Sequence, residues 1–411
     1  MKCRILKPKE RTKNHKVDCF DKLLTIGPVI LNRPFFMKTK LNFLFIQVGF
    51  ILLLFGINFH HTSIHFKDQK DTITIKLNFV GDLMCHMPQI DYAKVAKDSF
   101  DFNTPFSEIK KYLKDADMTF GNFETVIADS NKRYSGYPTF NSPVEYLEGI
   151  KNSGFDILFT SNNHNADGGV KGILRTIDAI KKYGMIPIGT NSTQQNRDSV
   201  LILDVKGIKI GLNSYTYGLN GNVIPKSKSF SVNLIDTIKI LSDIKKMRSK
   251  NPDLILIYFH FGEEYSRKPS AYQKEIVNKT FNYGADIIIA SHPHVIQPAE
   301  YFVKKNGKLK KGLIAYSLGN FFSNQQWRYS DAGVILNLEI KKINSKDSLW
   351  INKMSFIPTW VFKGITDRKK EFIILPADTS LLKPTPDFIR KEELNKLNQA
   401  FEDTRKMFPA N

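Results

Sequence analysis

Cysteine is scarce. Cys3, Cys19 and Cys85 are the whole complement of 411 residues, which excludes a disulfide scaffold, and no C-x-x-C pair is present to build a thiolate zinc site or a dithiol redox centre. Metal chemistry here has to use oxygen and imidazole ligands. Low-complexity tracts, internal repeats and heptads are also missing, so the chain is neither disordered nor fibrous. There is no Walker phosphate loop, dinucleotide fingerprint, zinc finger or interleaved aromatic and basic module, which argues against ATP-driven ligation and against nucleic acid as a partner. What is present is 42% apolar residues, enough for a large core in two or three domains or in one elaborated α/β domain.

Negative charge is in short supply as well: 60 Lys and Arg face 40 Asp and Glu, a net charge of +20. Residues 1–40 hold eleven basic residues against Glu10, Asp18 and Asp21, so +8 sits there and +12 in the rest. Such an excess attracts acidic polymers or anionic membranes without choosing between them. The nineteen residues 41–59 (LNFLFIQVGFILLLFGINF) carry no charge, and as a helix they would rise about 28 Å, one bilayer core. A buried core helix is the alternative, although an uncharged run directly after a basic stretch is unusual in one. The preceding charge predicts a basic cytoplasmic tail over 1–40, a single transmembrane helix over 41–59, a stalk over 60–70 and everything later outside the cell. Met37-Lys38-Thr39-Lys40 would also open a signal peptide, which marks 1–36 as either an upstream extension or a tail. No small-x-small cleavage pattern follows Phe59, so an uncleaved anchor is favoured.

Downstream, strand signals alternate with helical ones. Strands are expected at 72–80, 117–120, 155–160, 254–259, 286–290, 313–318 and 333–340, and a hairpin at 201–213 turning on Lys206-Gly207. Helices are expected at 98–115 (mixed), 169–183 with Gly184 as C-cap, 232–249, 270–283 and 388–405. This alternation predicts a layered α/β domain over 71–325, with 326–411 as a C-terminal extension of it.

Only five histidines follow residue 70, and each of them, His86, His164, His260, His292 and His294, lies just beyond an expected strand in a loop rich in Gly, Asn, Asp or Glu. Loops at the carboxyl ends of sheet strands converge on one edge. With Asp82, Glu124, Asn163 and Asp167 they supply nitrogen and oxygen ligands that suit Mn, Zn or Fe, and a shared carboxylate would make a two-metal site. In His292-Pro293-His294 an extended backbone would point both imidazoles the same way, stiffened by the proline.

The ordered series NFVGDLMCH (78–86), FGNFET (120–125), SNNHNADGG (161–169), FHFGEEY (259–265), ASHPHVIQPAE (290–300) and AYSLGNFF (315–322) resembles the CapA capsule biosynthesis family of bacterial poly-gamma-glutamate capsules, related to the calcineurin-like metallophosphoesterases. The resemblance covers about 71–325 and implies an α/β/β/α metallophosphoesterase-like domain. It implies Asp82 and His294 as ligands of a first metal, Glu124 as the bridging carboxylate and Asn163, His260 and His292 on a second metal. It puts His164 in the place of the proton donor, with Asp167 and His86 as further catalytic candidates. Met84 stands where the family relatives place a histidine, and Asn122 and Glu124 replace an Asp pair.

Other features have two readings each. Asp167 could cap the helix at 169, and Glu263 and Glu264 could be ordinary loop carboxylates or partners of imidazoles. Glu264, Tyr265, Arg267, Lys268 and Arg328 are candidate substrate contacts, and Tyr215, Tyr217, Trp327, Arg328 and Tyr329 could line a groove, although an aromatic-rich loop is more often packing. The resemblance implies a membrane-anchored accessory protein that handles or exports poly-gamma-glutamate alongside other membrane proteins of capsule synthesis, including a separate ligase. A metal-dependent phosphoester hydrolase and a non-catalytic metal-stabilised polyanion-binding module are the alternatives. Protease added to intact protoplasts is expected to remove the large domain and spare a basic N-terminal fragment; protection of the whole chain would refute that topology.

Overall fold

The computed structural model describes residues 71–408 apart from 130, 305–307 and 368. The expected cytoplasmic tail, membrane helix and stalk lie outside those residues. Among the described residues no helix is long and apolar enough to cross a membrane.

In β1 (Thr72–Leu83) the side chains first alternate, burying Ile75, Leu77 and Phe79, and then every residue from Leu77 to Leu83 is buried. A strand with neighbours on both edges and layers on both faces reads this way. After α1 (Met87–Ala93), β2 (Lys94–Ala96), β3 (Ser99–Phe100) and α2 (Lys110–Leu113), the parallel series continues with β4 (Met118–Phe123). It is extended by α3 (Glu145–Asn152), β5 (Ile157–Phe159), α4 (Gly169–Lys182) and β6 (Ile186–Ile188). The second half runs through α5 (Gln194–Asp198), β7 (Leu201–Val205), β8 (Ile208–Thr216), α6 (Thr237–Ser249), β9 (Leu254–His260) and α7 (Ala271–Tyr283). Strands β10 (Ile287–Ser291), β11 (Ile296–Val303), β12 (Lys311–Leu318), β13 (Asn320–Phe322), β14 (Ala332–Ile343), β15 (Ser348–Thr366) and β16 (Lys369–Pro376) follow, then α8 (Lys391–Arg405).

Two mixed sheets result. The first has the order β16-β15-β14-β1-β4-β5-β6 with β13 beside β1, and the second has the order β11-β12-β10-β9-β8-β7. Their centres are parallel: β1, β4, β5 and β6 in one, β8, β9, β10 and β12 in the other. Ile75, Phe79 and Phe159 of the first sheet share one core with Ile210, Leu256 and Ile289 of the second. The outer face of the first sheet packs Leu83 and Leu158 on Leu147, Ile150 and Ile180 of the helices. The outer face of the second packs Ile257 and Ile288 on Ile244, Met247 and Ile276. The order of layers is therefore helix, sheet, sheet, helix.

Local signals account for most element ends. Ser270 caps α7 by accepting from Gln273 N, and Gly284 ends it at φ +114°, a left-handed conformation that glycine adopts without penalty. Lys206 and Gly207, at φ +52° and +90°, make the tight turn that a two-residue hairpin requires. Two segments differ from expectation. Residues 98–115 form only a short strand, a single 3-10 turn and four-residue α2. Phe102, Phe106 and Leu113 are fully buried there, and Pro105 cannot donate within a continuous helix. Residues 348–376, to which no strand was assigned, form the paired β15 and β16, and β14 joins them directly to β1.

The sheets bring one backbone unusually close to another. Asp82 N donates to Gly319 O at 2.9 Å, and a Cβ at Gly81 would collide with that same carbonyl. Gly81→Ala is expected to cost about 1–3 kcal/mol by overpacking, read as a lower urea midpoint. Gly218→Ala, where nothing lies within 4 Å, serves as the control; equal midpoints would refute the close-approach argument.

Candidate metal centre

The parallel strands end at one edge, and the chemistry-bearing residues come with them. Asp82 closes β1, Glu124 follows β4, Asn163 and His164 follow β5, His260 closes β9, and His292 and His294 follow β10. Asp82, Glu124 and His260 are completely buried, and Asn163, His164, His292 and His294 nearly so.

Two buried triads share one carboxylate. Asp82, Glu124 and His294 form one, and Glu124, His260 and His292 the other, each with ligand atoms within 4.8 Å of one another. Glu124 Oε1 lies 3.7 Å from His260 Nε2 and 3.8 Å from His294 Nε2. It has no hydrogen-bond partner among the described residues, and neither has buried His292 Nδ1. Asn163 Oδ1 reaches His260 Nε2 at 2.8 Å. His294 Nδ1 is held by Asp82 Oδ2 and Asn320 Oδ1, both at 3.1 Å, which leaves Nε2 turned toward Glu124.

Electrostatics favour a cation between these groups. Burial, then the neighbouring Asp82, holds the Glu124 carboxyl well above its usual range. Burial, then the other imidazoles, pushes His260 and His292 well below theirs, so both rings are neutral, the form that ligates metal. Among the described residues neither Asp82 nor Glu124 is paired with a lysine or arginine. The orphaned Glu124 oxygen, the orphaned His292 nitrogen and the carboxylate, imidazole and amide set fit a divalent metal of the Mn, Zn or Fe kind.

The backbone carrying His292-Pro293-His294 is not extended. His292 has φ +109° and His294 φ +58°, strained values for residues with a Cβ, of the kind that cluster at functional sites. The expected common direction is replaced by a division of labour: the ring centroids are 5.9 Å apart, and each imidazole serves a different triad.

His164 lies beside the triads. Its Nδ1 is 2.8 Å from Asp167 Oδ2, and Asp167 also accepts from Phe140 N and from Asn222 Nδ2. Asp167 does not cap the next helix, whose N-cap is Gly168 with no side-chain bond. His86 belongs to neither triad. It caps α1 with Gln89, burial lowers its pKa to about 4, and the Phe140 ring separates it from His164, at 5.2 and 4.7 Å from the two.

At the mouth, exposed Glu264 groups with His292 and His294. The Tyr265 ring is 6.1 Å from His294 and 5.5 Å from Trp327. Arg328 makes a fork on Asp403 at 2.9 and 3.0 Å. Arg267 donates to Asp403 O at 2.7 Å and stacks over Tyr329. Both guanidiniums are thus engaged with α8 or its neighbours.

Further residues join the site. Asn122 Nδ2 lies 2.8 Å from Asp82 Oδ1 and 3.1 Å from Glu124 Oε2, joining the two carboxylates. Asn320 orients His294. Tyr217, expected as a groove wall or as packing, lies against His292 with centroids 4.5 Å apart, and Asn220 and Asn222 follow it. Their signal in the sequence is an Asn- and Gly-rich loop just past β8 that carries no histidine. Tyr215, two residues earlier, is buried on the opposite side, where its hydroxyl donates to Asp243.

The family described as Bacterial capsule synthesis protein PGA_cap matches residues 76–325. The chain is 30% identical over 325 residues to Capsule biosynthesis protein CapA of Bacillus anthracis, covering 77% of this chain and 75% of that one. It is 25% identical over 279 residues to PGA biosynthesis protein CapA of Bacillus subtilis, covering 67% and 70%. A solved phosphatase from Mycoplasma pneumoniae matches with 14% identity and a TM-score of 0.42, over 76% of this chain and 97% of that one; a likeness at that level carries no inference about activity.

Replacing His292 and His294 together by alanine takes one imidazole from each triad, and Glu124→Gln removes the charge common to both. Elemental analysis of the purified protein is expected to show bound metal falling toward background in each variant. Unchanged metal content in the double variant would reject the ligand assignment.

Proposed function

The chain belongs to the bacterial capsule synthesis protein PGA_cap family and so to capsule biosynthesis, and from that premise we propose that it is a membrane-anchored accessory protein that handles or exports poly-gamma-glutamate outside the cell. The anchor of this reading is residues 41–59, with residues 61–411 external and carrying all of the +12 that lies beyond residue 40. The polymer comes from the resemblance of the six motifs and from the name of the Bacillus subtilis relative, PGA biosynthesis protein CapA.

The observation that carries the site's part in this function is the sharing of Glu124 by two buried triads. Asp82, Glu124 and His294 would hold one divalent ion, and Glu124, His260, His292 and Asn163 a second. Such ions supply charge neutralisation at an anionic group and lower the pKa of bound water. The chain's own residues do the rest. Asn122 joins Asp82 to Glu124 by hydrogen bonds to both. Asp167 orients His164 and keeps a proton on Nδ1, so that Nε2 faces the pocket as an acceptor. Tyr217 and Tyr265 wall the mouth against His292 and His294.

Because Arg267 and Arg328 are turned to Asp403 and the mouth carries exposed Glu264, an acidic polymer would meet its neutralising charge at the metal ions and on the wider basic surface. A second reading, a metal-dependent hydrolase of a phosphoester or related bond, is favoured by the oriented His164–Asp167 pair. His164→Ala decides between turnover and binding, since it removes no ligand.

In a capsulated strain, loss of residues 71–325 is expected to abolish surface polyglutamate while the synthetic enzymes are still made. Normal polymer amount and placement would sink the capsule role. In the purified protein His164→Ala is expected to retain metal and to lose about 10²- to 10⁴-fold of any hydrolysis, the usual worth of a general acid or base. If the parent turns over neither phosphodiester nor polyglutamate and His164→Ala supports full capsule formation, the site binds and does not catalyse.

A further inference from the structure

The loop that leaves the carboxyl end of β8 closes over the second triad. Its Tyr217 ring rests on His292, and Asn222 Nδ2 donates to Asp167 Oδ1 at 3.2 Å. Between these two anchors stands Asn220, exposed and at φ +50°. Asn163 Nδ2 donates to Asn220 Oδ1 at 3.2 Å, and Asn220 Nδ2 lies 3.3 Å from His164 Nε2.

Hydrogen-bond logic fixes the direction of both contacts. The Asp167 carboxylate only accepts, so the His164 proton is on Nδ1 and Nε2 presents a lone pair, which accepts from the Asn220 amide nitrogen. Turning the Asn220 amide over would set its oxygen against that lone pair and its NH2 against the NH2 of Asn163, losing both bonds. With its own NH2 claimed by Asn220, Asn163 directs its oxygen at His260 Nε2, 2.8 Å away. That oxygen is the end of an asparagine that can ligate a cation.

We propose that Asn220 is a positioning residue of this centre: its single amide turns the Asn163 oxygen toward the second triad and, by donating to His164 Nε2, fixes the orientation of that ring. The Asn163 half rests on the two-metal reading above; the His164 half does not need it. The side chain acts from the solvent side of the site, so its removal leaves the buried triads in place.

The test uses the purified full-length chain in detergent with two substitutions that keep the backbone unstrained. Asn220→Gly accepts φ +50° freely and deletes both contacts. Asn220→Asp also tolerates that conformation, keeps an acceptor for Asn163 and removes the donor to His164. Ring-¹⁵N histidine resonances of the metal-free protein, with His164 assigned by its loss in His164→Gln, report where the proton sits. Titration with Zn²⁺ reports affinity. Both variants are expected to shift the parental Nε2 resonance of His164, whose hydrogen bond they remove. Asn220→Gly is expected to weaken Zn²⁺ binding by about 10- to 100-fold, the usual effect of losing a partner that orients a ligand, while Asn220→Asp binds at least as tightly as Gly. Parental ring resonances in both variants overturn the His164 half. Parental Zn²⁺ affinity in Asn220→Gly overturns the Asn163 half. A parent that binds no Zn²⁺ defeats the metal-centre reading and, with it, the Asn163 half, while the ring resonances still decide the other.

Discussion

Two carboxylates held side by side out of water set the terms for the rest of this molecule. Asp82 and Glu124 are both completely buried, and burial and then the neighbouring Asp82 disfavour the charged form of Glu124. The surroundings offer neutral imidazoles, the Asn122 amide and no basic side chain among the described residues that could pair with them. A divalent cation is the partner with enough charge to offset that arrangement. The left-handed backbone at His292 and His294 belongs to the same constraint, because it aims two nearly adjacent rings at different triads.

The layers around the centre keep it rigid. Parallel strands in both sheets deliver their loops to one edge, and the shared core between the sheets holds those edges together. The glycine approach at Gly81 and Gly319 locks the end of β1 beside β13, and so places Asp82 next to Asn320 and His294. The C-terminal residues contribute as well. β14 to β16 complete the first sheet, and Asp403 on α8 draws Arg267 and Arg328 onto itself. Two of the basic side chains near the mouth of the site are thereby already engaged.

Much of this was legible from residue order because the relevant signals are local. The alternation of β1, the unbroken apolar run of β9, the Lys206-Gly207 turn and the Ser270 and Gly284 ends of α7 each depend on a few neighbouring residues. The placing of every late histidine just beyond a strand pointed to one edge without any contact being known. The long pair β15 and β16 was not legible, since its partner β14 is paired in turn with β1, more than 250 positions earlier. The 98–115 segment is less helical than its sequence suggests because its buried Phe102, Phe106 and Leu113 answer to tertiary neighbours, not to a helical period.

The sequence by itself determined the ligand chemistry, the alternation of strand and helix, and the family, because residue type and local spacing carry all three. Only the tertiary structure decided that Glu124 is common to two triads, that His86 caps a helix outside them, that Arg267 and Arg328 answer to Asp403, and that Asn220 reaches Asn163 and His164. Apart from the local His86–Gln89 contact, each of those outcomes is a distance between atoms whose residues are separated by tens to hundreds of positions. A linear order contains no such distance until the sheets have brought their edges together.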